Sequence, residues 1–166
     1  IWTRIATMTK PQALIVFTGG YSGEAVISRK SAAMVMAQID RQRFLPVLVH
    51  VDPKGWFMEN EATGEKTATN LSEILADPRA FIGAFIMVHG TPGEDGKLQT
   101  TLDGVGMRYT TGDADCMALT FNKGRTNAVL REENIAVASS VELAHSDPWN
   151  AIEIAETVGI PCFIKP

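Results

Sequence analysis

The 166-residue chain is long enough for one ordinary domain, or one domain and the beginning of a second. Its 45% hydrophobic and 20% charged residues suit a globular protein rather than a disordered or collagen-like one. A net charge of −4 excludes a general pull toward nucleic acid or an anionic membrane, so an anionic ligand must be held by local donors.

No apolar run approaches the ~20 residues of a membrane-spanning helix. Residues 1–11 lack the apolar core and cleavage site of a secretory signal and read as a flexible leader. The first strand is expected at Ala13-Leu14-Ile15-Val16-Phe17, a continuous apolar run ended by Gly19-Gly20. Val26, Ile27, Ala33, Met34, Ala37 and Ile39 then recur at helical spacing. Pro46 to Val51 reads as a second strand, so the chain opens with a strand–helix–strand crossover and parallel pairing.

Asp52 to Thr69 reads as a loop or small hairpin, and Leu71 to Leu75 as a short helix closed near Asp77-Pro78. Ala84 to Val88 is a third buried strand, ended by His89-Gly90. Helices are expected over Leu98 to Val105 and Leu119 to Leu130, with a strand through Ile135 to Ala138 between them and a last helix. That helix runs from Pro148 to Val158 behind an Asp147 cap, before a final strand at Pro161 to Lys165.

In open parallel sheets, ligands gather outside the carboxyl ends of the strands. Two glycine-rich loops lie there, Thr18 to Glu24 and His89 to Gly96. The first is not a dinucleotide fingerprint: Thr18 stands where its first glycine belongs, and Asp52 is much farther along than the usual ~20 residues. Glu24 reads either as a first-turn acid favouring the helix dipole or as a carboxylate aimed at a ligand ammonium. His89 and the two acids Glu94-Asp95 read either as a solvated turn or as part of a site.

Lys123 at a helix start is at the wrong end for the dipole, so it is either simply exposed or matched by an anion. Lys165, after four apolar residues on an expected buried strand, needs a partner or a cleft. Together they could clamp phosphates. His50, His89 and His145 show no zinc-binding spacing, and Cys116 and Cys162 lack metal-like or redox-like neighbours, as in the reducing cytosol. Neither a Walker loop nor a nucleophile elbow occurs.

Gly19-Gly20-Tyr21-Ser22-Gly23-Glu24, ending at Ser28, resembles the first motif of D-alanine–D-alanine ligases. His89-Gly90-Thr91-Pro92-Gly93-Glu94-Asp95-Gly96-Lys97-Leu98-Gln99 resembles their second signature closely. Leu102, Tyr109-Thr110, Thr120 to Lys123 and Pro161 to Pro166 follow in the family's order.

The resemblance implies an α/β chain: a Rossmann-like parallel sheet over 12–119, followed by the beginning of an ATP-grasp domain over 120–166. It implies an ATP-dependent, magnesium-requiring ligase that joins two D-alanines through an acyl phosphate for peptidoglycan synthesis. Glu24 would orient the ammonium of the first D-alanine, with His89 beside that subsite; Lys123 and Lys165 would contact ATP phosphates. Family members are often homodimers joined through the amino-terminal domain.

Val26 stands where many members carry a second acid, and Thr100-Thr101 where many have Gly-Tyr, a change expected to alter helix packing near the site. The family's serine- and glycine-containing loop, adenine pocket, catalytic arginine and magnesium carboxylates lie beyond Lys165-Pro166, so the 166 residues alone are expected to be inactive. Alternative readings are a non-catalytic module that binds an amino acid or partner, and a ligase with another second substrate.

Overall fold

Gln12–Gly19 forms strand β1, and Ile15, Val16 and Phe17 on it are fully buried, as a strand covered on both faces requires. The structure, a computed structural model, describes residues 10–77 and 80–165. Helix α1 (Ala25–Gln38) follows, then strand β2 (Phe44–Asp52), which pairs with β1 in parallel. The segment expected as loop or hairpin is a hairpin: β3 (Gly55–Glu59) and β4 (Lys66–Thr69) add to β2 in antiparallel fashion. After the short helix α2 (Leu71–Ile74), strand β5 (Ala84–Ile86) pairs in parallel with the other edge of β1.

The sheet order is therefore β4-β3-β2-β1-β5. The architecture is α/β as expected, with a mixed sheet in place of a wholly parallel one. Local chemistry explains the antiparallel addition. Asp52 Oδ1 accepts the Lys54 N–H at 2.9 Å to close the β2–β3 turn, and Asn60 Oδ1 accepts the Ala62 N–H at 3.0 Å in the next. Two short turns bring the chain straight back, which only antiparallel pairing permits.

Side chains alternate across the strands, so the two faces of the sheet have separate partners. On one face Ile15, Phe17, Val49, Val51, Ala84 and Ile86 pack with Ile74 and Leu75 from the α2 region. Leu98 and Leu102 of helix α3 (Lys97–Gly104) complete that core. Trp56 meets Phe17 edge-on, with ring centroids 5.9 Å apart. Burial of each large apolar side chain here contributes ~1.5–3 kcal/mol.

The opposite face carries α1, and here the sequence expectation needs correction. Val26, Ile27 and Met34 are about half exposed or more, while Ser28 and Ala32, one turn apart, are buried. Small residues, not the bulky ones, let a helix backbone lie close to a sheet.

Helix α4 (Ala114–Phe121) and helix α5 (Lys123–Glu132) replace the single helix expected from Leu119 to Leu130. Asn122 adopts an extended conformation and its side chain accepts the Arg125 N–H at 2.9 Å, capping α5 and separating the two. Ile135 to Ala138 is not a strand. Its end is held by Arg131, whose guanidinium donates to the Ala138 carbonyl at 3.2 Å and to Ser140 Oγ at 3.0 Å.

Helix α6 spans Ala151–Val158 and starts later than expected, because Asn150 is its cap. Asp147 instead accepts the Ala144 N–H at 2.7 Å within the preceding turn. Pro161 to Lys165 is exposed and not in a strand, so Lys165 carries no burial penalty. The expected stop near Asp77-Pro78 falls partly outside the described residues. The chain divides into two compact units, Ile1–Phe121 and Asn122–Pro166.

Candidate functional site

Because β5 runs parallel to β1, the loops that follow both strands leave the same edge of the sheet. They meet there. Tyr21 N–H donates to the Thr91 carbonyl at 2.9 Å. A Cβ on Gly20, whose φ is +119°, would approach the His89 carbonyl to 3.0 Å. The first loop is also tied toward the hairpin, since Trp56 Nε1 donates to the Tyr21 hydroxyl at 3.0 Å.

Glu24 is the amino-terminal cap residue of α1 but makes no side-chain capping bond. Among the described residues its carboxylate has no hydrogen bond or ion pair. It stands beside the second loop: a Cβ on Gly90 would lie 3.3 Å from Glu24 Oε2 and 2.7 Å from Ser22 Oγ. Gly90 has φ +72°, so this is a place where only glycine combines the required backbone with the required space.

Ser28, four residues into the helix and fully buried, links the two loops. Its Oγ accepts the His89 N–H at 2.9 Å and donates to the Glu24 carbonyl at 3.4 Å. Sequence reasoning placed Ser28 only as the end of a motif; a hydroxyl one turn before Ala32, on the same helix face, was the available signal.

The acids of the second loop hold the loop itself. Glu94 Oε2 accepts the Gly90 N–H at 2.7 Å, and Glu94 Oε1 is 3.6 Å from His89 Nδ1. Asp95 Oδ2 accepts from Thr91 Oγ1 at 2.6 Å and from Lys97 Nζ at 2.7 Å. Partial burial pushes the Asp95 carboxyl up, but the hydrogen bonds from Lys97 and Thr91 outweigh it and hold the group below the usual range. Gln99 Nε2 donates to the Gly93 carbonyl at 2.6 Å. Thr100 and Thr101 donate back to the Gly96 and Lys97 carbonyls at 2.8 and 3.1 Å.

The four candidate residues thus fall into two pairs. Glu24 and His89 lie in the first compact unit, on adjoining loops. Lys123 and Lys165 lie in the second, Lys123 as the exposed first residue of α5 and Lys165 in the exposed segment after α6. The arrangement at the loops can offer the Glu24 carboxylate to a ligand cation while His89 is fixed through its backbone N–H to Ser28.

No family model matches the chain. Its sheet and helices match those of ATP-grasp ligases. A VanG D-Ala:D-Ser ligase from Enterococcus faecalis superposes with a TM-score of 0.68 at 21% identity, over 79% of this chain and 44% of that one. A D-alanine–D-alanine ligase from Bacillus anthracis, solved in complex with ATP, superposes with a TM-score of 0.67 at 20% identity, over 89% and 43%.

The sequence carries the likeness further: a D-alanine–D-alanine ligase of Flavobacterium psychrophilum is 37% identical over 155 residues, 91% of this chain and 47% of the relative. The chain is a homologue of the D-alanine–D-alanine ligases, as the two motifs implied, and corresponds to their amino-terminal portion. It spans about half the length of the curated relatives it matches.

Proposed function

We propose that this chain contributes the first-substrate site of an ATP-dependent ligase that joins two D-alanines for peptidoglycan synthesis. The observation that carries the reading is the unpartnered Glu24 carboxylate set beside Gly90, with His89 fixed in the same loop. A carboxylate so placed binds an amino-acid ammonium and turns the amino acid's own carboxylate away from itself, toward the reacting centre. A charge-assisted pair of this kind is stronger than a neutral hydrogen bond.

In the proposed reaction the carboxylate of the first D-alanine takes the terminal phosphoryl group of ATP, ADP leaves, and an acyl phosphate forms. The amine of the second attacks the acyl carbon, and inorganic phosphate leaves. Lys123 and Lys165 are assigned to the phosphates, following the family resemblance; ammonium groups on flexible stems suit that work. Following the same resemblance, magnesium ligands are assigned to the part of the relatives that these residues do not span.

A cytoplasmic homodimer belongs to the same proposal; the dimer rests on the resemblance, and the compartment on Cys116 and Cys162 lacking redox-like neighbours in the sequence. Among the described residues no helix is long and apolar enough to cross a membrane. The test is phosphate release and dipeptide formation from D-alanine and ATP. A full-length protein carrying this sequence is expected to show both, and these 166 residues alone neither. A full-length protein without D-alanine-dependent phosphate release would overturn the assignment.

A further inference from the structure

The face of the sheet that carries α1 is only partly covered, and two adjoining open clefts of about 350 and 420 Å³ lie between that helix and the β2–β3–β4 strands. Arg29 and His50 line both. Neither Glu24 nor His89 lines either one, so this surface is separate from the site described above.

The charges in the first cleft are arranged unusually. Among the described residues Arg29 makes no hydrogen bond or ion pair. Asp52 lines the same cleft, and its carboxylate accepts only the Lys54 N–H. A guanidinium and a carboxylate on one small cleft, neither paired with the other, leave complementary charges for a ligand to satisfy. Lys66, also lining it, is held only loosely, 3.6 Å from Glu59. Glu59 is already engaged by His50 Nε2 at 2.6 Å.

The adjoining cleft, which shares Arg29 and His50 with the first, has an unmet polar group of its own. Thr18 Oγ1, in a residue 1% exposed, has no hydrogen-bond partner and lies in the lining of the adjoining cleft. A buried hydroxyl without a partner costs ~1–3 kcal/mol. A ligand or water entering from the cleft would relieve that cost.

A simple anion would meet Asp52 as well as Arg29, and a simple cation would meet Arg29 and Lys66. We propose that the cleft binds a small zwitterion, an α-amino acid or a dipeptide, with its carboxylate on Arg29 and Lys66 and its ammonium on Asp52. Phe57, paired with His50 across β2 and β3, supplies an apolar wall. The open volume of about 350 Å³ leaves room for a ligand of that size.

Amide-resolved NMR titration of the chain with glycylglycine, against acetate and methylamine at matched ionic strength, tests this. Glycylglycine is expected to give saturable shifts centred on Arg29, His50, Phe57 and Lys66, where acetate and methylamine at equal concentration give none. Arg29→Met and Asp52→Asn should each weaken binding at least about tenfold. Lys66→Met, on an exposed edge strand, should weaken it as well, and Glu24→Gln should leave it unchanged. Acetate shifts equal to those of glycylglycine, absence of saturable shifts, or loss of binding in Glu24→Gln would each overturn the proposal.

Discussion

Ser28 Oγ sits 2.9 Å from the His89 amide nitrogen and 3.4 Å from the Glu24 carbonyl oxygen, so one buried hydroxyl holds the start of α1 against the loop that follows β5. Ser28→Ala leaves the His89 N–H without its acceptor in a closed environment. The expected cost is ~1–3 kcal/mol in urea unfolding, with faster hydrogen exchange at the His89 amide. An unchanged exchange rate at that amide would show that the bond does not hold the loop.

Gly90→Ala tests the closeness of the two loops. The added methyl would meet Ser22 Oγ at 2.7 Å on a backbone of φ +72°. Left-handed backbone alone costs a non-glycine residue ~1–2 kcal/mol. Thermal unfolding should show at least that loss, and the Ser22 and Glu24 amide resonances should move. Gly23→Ala, where no atom lies within 4 Å of the added carbon, should be far milder.

Asp95 is held ionised by Thr91 and Lys97. Its folded pKa is lower than its unfolded one, so the stability it contributes is present above the unfolded value and lost as pH falls through the folded one. Asp95→Asn should cost ~1–3 kcal/mol at neutral pH and flatten the acid limb of the stability curve.

His50 behaves in the opposite chemical sense with the same pH direction. Burial pushes its imidazole below the ordinary 6.5, and the Glu59 hydrogen bond only partly restores it; Lys66 and Arg29 lower it further. The unfolded chain therefore takes up the proton first as pH falls. Stability from this group is complete above 6.5 and declines below it toward the folded value. His50→Gln should remove that slope from urea unfolding measured between neutral and mildly acidic pH.

Much of this architecture is legible in the residues. Apolar runs such as Ile15-Val16-Phe17 and Ala84-Phe85-Ile86 mark strands because burial on both faces demands it. The meeting of the Glu24 and His89 loops follows from parallel order, which puts successive carboxyl ends on one edge. What the sequence obscured has local causes. Val26, Ile27 and Met34 suggested a buried helix face, yet close packing selected Ser28 and Ala32. Asn122 and Asn150 decided helix starts through single side-chain bonds that periodicity does not register. The Ile135 to Ala138 and Pro161 to Lys165 runs are apolar enough for strands, but composition cannot show whether a pairing partner stands beside them.

Steady-state kinetics of Glu24→Gln in the full-length protein test the central reading most directly. The substitution keeps the side chain's shape and removes its charge. The expected result is a KM for D-alanine raised about tenfold or more, with the KM for ATP essentially unchanged. Equal changes in both constants, or no change in either, would contradict the assignment of Glu24 to the first D-alanine.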